Sequence, residues 1–353
     1  MKKPAAILVL LALALLLAPL PFSFVGQSPL AAALPAAKSD EPTVRVLMGE
    51  EIASLSLRDY LCGTVAAEMP ATYGLEALKA QAVAVCSYMV YRLESARENP
   101  SATPEHRGAA VCIDPSHCKA FLSPEQARKA WGEDGYSLYY PKITAAVDAV
   151  AGEILTYDQK PVNAVFHELS AGRTESAGDV WGVDVPYLVA VDSPADAAAE
   201  NARATLSLSR QELFDLLAIL DPEIDPALPI GESRRTASGG VLRQSIGGKS
   251  FTGAVLRSTL SLPSTHFTLE EKDGTYTFTT LGRGHCVGMS QYGAGALAAE
   301  GKTYREILQT YYTGVEISRF FSSSHTISSR PYGSSSIARH KTCHSGSLWN
   351  RRA

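Results

Sequence analysis

The sequence predicts a mixed α+β fold, because helical spacing marks its first part and strand-like alternation marks several later segments. Apolar residues recur every three or four positions between residues 76 and 96, which indicates a helix with one buried stripe. Residues 265–281 alternate apolar and polar side chains around Asp273 and Gly274, a pattern typical of a β-hairpin. Since helices and strands do not alternate regularly, we expect an α+β arrangement and not a doubly wound sheet.

A second helix is predicted just before the first of these segments. Leu57, Leu61 and Val65 are spaced like one face of a helix, and the proline and glycine in residues 70–74 interrupt that spacing. Glu68 therefore lies at the end of one predicted helix and shortly before the start of the next.

Three strands and one further helix complete the predicted elements. Ser209 and Glu212 have the spacing of a capping box, which predicts a helix from there to Leu220. Runs of apolar and β-branched residues predict short strands at residues 44–48, 153–157 and 162–167.

The N-terminus predicts a membrane anchor. Lys2 and Lys3 precede an uncharged, mainly apolar stretch from residue 5 to about residue 25, close to the ~20 residues that span a bilayer. Positive charge ahead of such a stretch favours a cytoplasmic N-terminus and an extracytoplasmic body. We expect residues 1–27 to form a single-pass anchor. A cleaved signal sequence is the alternative, because small residues at positions 31–37 offer a cleavage site.

Composition divides the rest of the chain. Residues 28–43 are expected to form a linker, and residues 44–318 are long enough for a large core in one domain or two closely fused ones. Residues 319–353 are rich in serine, arginine and histidine without a periodic apolar pattern, so we expect a disordered tail. The 353 residues carry a formal net charge of −4, which argues against nucleic acid as a partner.

Glu68 is the first candidate catalytic residue. A carboxyl group in an apolar corner between two helices is partly desolvated, and desolvation favours the protonated form that a general acid needs. An ordinary surface or capping glutamate fits the local pattern as well. A conventional glycoside hydrolase would need a second carboxyl group, for which Glu76 and Glu175 are the candidates.

A cluster of potential metal ligands lies within thirteen residues: His106, Cys112, His117 and Cys118. Zinc takes four such ligands in structural sites. The adjacent His117 and Cys118 can both reach one ion only if the turn-forming residues 114–116 bend the chain sharply. A disulfide between Cys112 and Cys118 is the alternative in an exported protein. The sequence contains no His-Glu-x-x-His motif, which makes a zinc peptidase or amidase an unfavoured interpretation.

Six ordered stretches of this chain resemble the stage II sporulation protein D family of peptidoglycan lytic transglycosylases. The resemblance covers most of the chain, from about residue 44 to residue 317. Its segments are residues 60–70, 75–84, 166–182, 186–194, 257–260 and 284–294. One such match would be weak, whereas six in the family's order are specific.

The resemblance implies that the protein cleaves the bond between N-acetylmuramic acid and N-acetylglucosamine without net hydrolysis, which leaves a 1,6-anhydromuramic end. It places the catalytic glutamate at Glu68, and one carboxyl group suffices for this chemistry. It also places the segments of His167 and His285 around the substrate groove. The residues implied in substrate binding are Lys79, Ser170, Gly172, His285, Gln291 and Tyr292.

The resemblance favours zinc over the disulfide, with His106, Cys112, His117 and Cys118 as four ligands of a structural site. Two positions depart from the family pattern. Cys86 stands where the family usually has arginine, and Cys286 stands where it has glycine. Since a thiol cannot replace the fixed charge of a guanidinium, Cys86 raises the alternative of a non-catalytic glycan-binding activator of a cell-wall amidase.

The implied setting is septal wall remodelling during endospore engulfment. The implied substrate is peptidoglycan glycan strands from which the peptides have been removed. The implied partners are the amidase stage II sporulation protein P and the membrane scaffold stage II sporulation protein M.

Overall fold

A computed structural model describes residues 41–99 and 104–320 of the protein. The helices are α1 (Leu57–Glu68), α2 (Leu75–Glu98), α3 (Pro124–Ala149), α4 (Ala177–Trp181), α5 (Pro194–Ala197), α6 (Arg210–Ala218), α7 (Gly253–Thr259), α8 (Gln291–Ala299) and α9 (Tyr304–Tyr311). The strands are β1 (Thr43–Met48), β2 (Glu51–Ser56), β3 (Val111–Cys112), β4 (Glu153–Tyr157), β5 (Lys160–Pro161), β6 (Phe166–His167), β7 (Arg203–Ser209), β8 (Ile230–Arg235), β9 (Val241–Ile246), β10 (Lys249–Thr252), β11 (Phe267–Lys272), β12 (Thr275–Leu281), β13 (Met289–Ser290) and β14 (Glu316–Arg319). The predicted α+β class is confirmed.

The predicted anchor at residues 1–27 lies outside the described residues, as do most of the predicted linker and of the predicted tail. Within residues 41–99 and 104–320, no helix is both long enough and apolar enough to cross a bilayer.

Helix α2 is the central element of the first part of the chain. It packs against α1, α3, α8, α9 and β4. Residues 80–90 are buried without interruption, including the polar Gln81 and Ser87. The sequence predicts a single buried stripe, and this is wrong for residues 80–90, because neighbouring helices and a strand cover that part of α2 on every side. Its alanines at alternate positions leave room for these neighbours to approach closely.

The strand predictions have different outcomes. Strand β1 confirms the prediction at residues 44–48, and β4 matches the predicted residues 153–157. Only the last two residues of the predicted strand at 162–167 pair, as β6 with β13 in parallel. The apolar residues before β6 are buried without belonging to a strand. Their hydrophobicity therefore indicated burial and not strand pairing.

The predicted hairpin is confirmed as β11 and β12. Asp273 and Gly274 connect these strands with φ angles of 52° and 76°, as a two-residue hairpin turn requires. The capping box of Ser209 and Glu212 is also confirmed at the start of α6. The hairpin pairs with β7 in one sheet, and strands β8 to β10 form another. A hydrophobic cluster that includes Phe214 of α6 connects these two sheets.

Candidate active site and metal centre

A cavity of about 1070 Å³ lies where the end of α1, the C-terminal half of α2, the segment after β3, strand β6 and the start of α8 meet. Its volume matches or exceeds that of most small-molecule sites, which suits an extended ligand. Aromatic side chains, which offer broad apolar faces to a sugar ring, line much of it. They are Tyr73, Tyr88, Tyr91, Trp131, Phe166, Trp181 and Tyr292.

Glu68 lines this cavity and is held from two directions. It is the last residue of α1, which ends because Met69 is extended at φ −121° and ψ 135°. The backbone N–H of Ala120 donates a hydrogen bond of 2.6 Å to Glu68 Oε1. The side chain of Gln291 donates from Nε2 to the backbone carbonyl of Glu68, at 2.8 Å. Both the carboxyl group and the peptide that carries it are therefore fixed by distant segments.

The second carboxyl groups proposed for a hydrolase lie elsewhere. Glu76 forms an ion pair of 2.6 Å with Lys79 and accepts a hydrogen bond from the backbone N–H of Tyr304. The carboxyl group of Glu175 is fully buried and lies 2.8 Å from His266 Nε2. Neither glutamate lines the cavity, so the structure does not support either as the partner of Glu68.

Two other acidic residues line the cavity instead, and the sequence analysis missed both. They are Glu98, near the end of α2, and Glu168, directly after β6. The carboxyl group of Glu168 accepts a hydrogen bond of 3.3 Å from Asn201 and lies 3.7 Å from Arg283. No local pattern marks either residue. Glu168 reaches the cavity because the strand before it, β6, pairs with the distant β13.

His285, Gln291 and Tyr292 line the cavity, as the resemblance implies, and so does His167. The rings of His285 and Trp181 have centroids 5.4 Å apart. Burial lowers the pKa of His167 to about 3 and lowers that of His285 well below its ordinary value. Both imidazoles are therefore neutral hydrogen-bonding groups and do not attract an anion.

Three predicted substrate-binding residues do not line the cavity. Ser170 is fully buried, and its backbone N–H donates to a carboxylate oxygen of Asp196 at 2.7 Å. Ser170 Oγ accepts a hydrogen bond of 3.2 Å from the backbone of Gly172. The ammonium group of Lys79 forms an ion pair with Glu76. The structure thus gives Ser170 and Gly172 a role in holding a turn. The ion pair of Lys79 lies within α2, and its Nζ lies 5.9 Å from the ring centroid of Tyr304 in α9.

Lys119 lines the cavity and was also missed by the sequence analysis. Its Nζ lies 3.7 Å from the centroid of the Phe166 ring and 5.1 Å from that of Tyr88. Among the described residues, no carboxylate lies within 4 Å of this ammonium group. Burial lowers the pKa of Lys119, and the negative charge of Glu68 opposes that effect. The one local signal was its position beside Cys118.

The four predicted metal ligands come together. One ligand atom from each of His106, Cys112, His117 and Cys118 lies within 4.8 Å of the others. Nε2 of His106 and Nδ1 of His117 are 3.0 Å apart. The sulfur of Cys118 lies 3.3 and 3.6 Å from these two nitrogens, and the sulfur of Cys112 lies 3.4 Å from Nδ1 of His117. Tetrahedral zinc with its usual bond lengths separates such atoms by roughly 3.3 to 3.8 Å. The donor set therefore fits a zinc ion.

The bend required at residues 114–116 is present. The carbonyl of Asp114 accepts hydrogen bonds from the backbone N–H groups of His117 and Cys118, at 3.1 and 2.7 Å. This turn lets the two adjacent side chains face the same point. Cys112 and Cys118 are both free thiols in the structure, so it does not support the alternative disulfide.

The surroundings of Cys118 favour its thiolate, whereas the hydrogen bond to Cys118 and burial raise the pKa of the Cys112 thiol. Hydrogen bonds from Cys112 and then from the rings of His106 and His117 lower the pKa of the Cys118 thiol well below its ordinary value, although burial acts against them. A thiolate is the form that binds a metal. Nε2 of His117 lies 2.8 Å from Glu105, and such a carboxylate orients a ligating histidine.

Comparison with known proteins assigns the family. A family model described as "Stage II sporulation protein" matches residues 49–157. The stage II sporulation protein D of Bacillus amyloliquefaciens is 39% identical over 267 residues, which cover 76% of this chain and 75% of that protein. The Bacillus subtilis protein of the same name is 37% identical and covers 76% of both chains. The chain belongs to the stage II sporulation protein D family.

A more distant relative carries a different name. The "Amidase enhancer" of Bacillus subtilis is 27% identical over 315 residues, which cover 74% of this chain and 40% of the enhancer.

The two cysteines that depart from the pattern of the stage II sporulation protein D family have distinct surroundings. Cys86 lies in the buried part of α2 and does not line the cavity, and burial raises the pKa of its thiol to about 12. Cys286 has a φ angle of 62°, a conformation that glycine adopts at little cost. The glycine that the resemblance implies at this position therefore suits the backbone, and Cys286 accepts some strain there.

Proposed function

We propose that this protein is a lytic transglycosylase that cleaves the bond between N-acetylmuramic acid and N-acetylglucosamine in peptide-stripped glycan strands. The observation that carries the proposal is the placement of one fixed carboxyl group, Glu68, in a large cavity lined by aromatic side chains. Membership of the stage II sporulation protein D family supports the same conclusion.

The hydrogen bonds of Glu68 distinguish its two oxygens. Oε1 accepts from the N–H of Ala120, whereas Oε2 has no hydrogen-bond partner among the described residues. A proton on Oε2 would leave the hydrogen bond of Oε1 intact, because a protonated carboxyl group keeps a carbonyl-like acceptor. We therefore assign the catalytic proton to Oε2.

One carboxyl group then serves both halves of the reaction. Glu68 donates its proton to the glycosidic oxygen as the bond from that oxygen to C1 of the muramic residue breaks. The resulting carboxylate takes the proton from the 6-hydroxyl of the same residue as its oxygen bonds to C1. Protons balance, no water is consumed, and the products are a free 4-hydroxyl and a 1,6-anhydromuramic end.

We further propose that His106, Cys112, His117 and Cys118 hold a structural zinc ion, since they supply a full set of four protein ligands. Bound zinc would tie the segment after β3 together. That segment continues directly into Lys119 and Ala120, and the backbone N–H of Ala120 donates the hydrogen bond to Glu68 Oε1.

Mass spectrometry of peptide-free glycan strands incubated with the protein in ¹⁸O-labelled water tests the reaction. We expect anhydromuramic ends without ¹⁸O, and their loss in Glu68→Gln. Glu168→Gln is the matched control, because it removes another carboxylate from the same cavity. Reducing ends that carry ¹⁸O and disappear in both variants would instead indicate a two-carboxylate hydrolase.

The proposed setting is septal wall remodelling during engulfment, at the cell membrane, with the domain at residues 44–318 outside the cytoplasm. The proposed partners are the amidase stage II sporulation protein P and the scaffold stage II sporulation protein M. Fractionation of sporulating cells, with and without residues 1–27, tests the membrane anchor.

Activation of an amidase without catalysis is the second candidate function. The similarity to the amidase enhancer and the presence of Cys86 favour it. If it is correct, Glu68→Gln stimulates peptide release by the partner amidase as strongly as the unchanged protein does. If the protein is instead the proposed lyase, the stimulation should be lost in Glu68→Gln.

A further inference from the structure

Lys119 places an ammonium group in the same cavity as Glu68, and no carboxylate of the described residues forms an ion pair with it. Its ammonium group lies over the face of Phe166, at 3.7 Å from the ring centroid. An aromatic ring attracts and positions a cation but does not cancel its charge. Within residues 41–99 and 104–320, Nζ of Lys119 has neither an ion pair nor a hydrogen bond, although the cavity gives it access to a ligand.

Lys119 is adjacent in sequence to the residue that binds the catalytic carboxyl group. Lys119 directly precedes Ala120, whose N–H holds Oε1 of Glu68 at 2.6 Å. The residue that carries the cation is therefore the chain neighbour of the residue that binds the acid, and the side chains of Lys119 and Glu68 line the same cavity. Arg92 of α2 is the other lysine or arginine of the described lining, and it has an interaction of its own.

The chemistry of the proposed substrate supplies an anion at this point. In intact peptidoglycan, the lactyl group on the muramic residue is an amide that carries the peptide, and it has no charge. Removal of the peptide converts this amide into a free carboxylate. A cation beside the cleaved bond can distinguish these two forms, because a charged hydrogen-bonded pair is stronger than a neutral contact.

We propose that Lys119 selects peptide-free strands by pairing with the lactyl carboxylate of the muramic residue whose bond is cleaved. This inference rests on the proposed function, because it identifies the cavity as the site of the muramic residue. Lys119 acts as a specificity-determining residue that binds substrate. The proton transfers are left to Glu68.

Binding without turnover tests the proposal. The full-length protein in detergent carries Glu68→Gln, and its Kd is measured by calorimetry for a peptide-free tetrasaccharide and for the same sugar with lactyl carboxamides. We expect the free acid to bind about tenfold more tightly, equivalent to about 1.4 kcal/mol. Adding Lys119→Met should bring this ratio close to one and change the Kd of the carboxamide less than about twofold.

Two further variants separate specific pairing from general effects. Lys119→Arg keeps the charge and should preserve most of the discrimination. Arg92→Met removes a charge from the same cavity and should preserve the ratio between the two ligands. Circular dichroism and zinc content verify that each variant is folded.

Three results would overturn the proposal: equal binding of both sugars by the parent, an unchanged ratio in Lys119→Met, or an equal loss for both ligands in that variant. The last would indicate that Lys119 only supports the shape of the cavity. The test is independent of catalysis, because discrimination in binding can be present even if the protein with Glu68 intact forms no anhydromuramic ends.

Discussion

Replacing Gln291 with alanine distinguishes a substrate contact from a support for the catalytic group. The family resemblance places Gln291 among the substrate-binding residues, whereas the structure directs its amide to the protein. Nε2 donates to the backbone carbonyl of Glu68 at 2.8 Å, and the residue is 6% exposed. We expect the main effect of Gln291→Ala to be a displaced Glu68.

The size of the effect follows from what remains in place. Loss of a neutral donor that leaves a buried acceptor unpaired costs about 1–3 kcal/mol of unfolding free energy. A displacement of about 1 Å at a reacting group costs on the order of 100-fold in rate. Because the Ala120 N–H still holds Oε1 of Glu68, we expect a smaller loss of about tenfold in kcat, or about 1.4 kcal/mol.

Steady-state kinetics on peptide-free strands and urea unfolding measure the two effects separately. We expect kcat to fall while KM stays within about twofold. Gln244→Ala is the matched control, because Gln244 is also buried and donates to backbone carbonyls, at 3.0 and 3.1 Å, away from the cavity. It should lose stability without losing kcat. A raised KM with unchanged kcat in Gln291→Ala would refute the reasoning and restore the substrate contact.

Three other predictions concern stability and the metal. Cys112→Ser should reduce bound zinc from one ion per chain to nearly none by elemental analysis, whereas Cys86→Ser should retain it. Burial lowers the pKa of His167 to about 3 in the folded protein, whereas its pKa in the unfolded chain is about 6.5. Below pH 6.5 the unfolded state therefore binds more protons than the folded state, and the free energy of unfolding falls. By pH 5 the free energy of unfolding should have fallen by about 2 kcal/mol, and His167→Gln should remove most of this pH dependence in urea unfolding. An equally steep dependence in the variant would contradict the lowered pKa of His167. Ser56 caps α1 by accepting from Asp59, so Ser56→Ala should cost about 1 kcal/mol in urea unfolding, and no change would contradict the cap.

The features that sequence predicts well here depend on residues close together in the chain. The hairpin of β11 and β12 depends on alternation around a two-residue turn. The four proposed metal ligands lie within thirteen residues, and the turn at Asp114 brings them together through local hydrogen bonds. The corner at Glu68 follows from a helix that ends before a proline. In each case, short-range geometry leaves few alternatives.

Contacts between distant segments decided the rest of the site. Gln291 reaches Glu68 across 223 positions, and Ala120 reaches it across 52. No periodicity predicts which partners a side chain meets at such separations. For the same reason, Glu175 is buried beside His266, whereas Glu168 reaches the cavity.

The sequence by itself therefore determined the α+β class, the family, the candidate acid and the candidate metal ligands. Spacing and ordered motifs carry that information directly. Only the tertiary structure decided that residues 80–90 of α2 are buried on all sides, that Lys79, Ser170 and Gly172 do not line the cavity, and that Lys119 does. These outcomes depend on how separate segments pack around one helix, because packing sets which side of each residue faces the cavity.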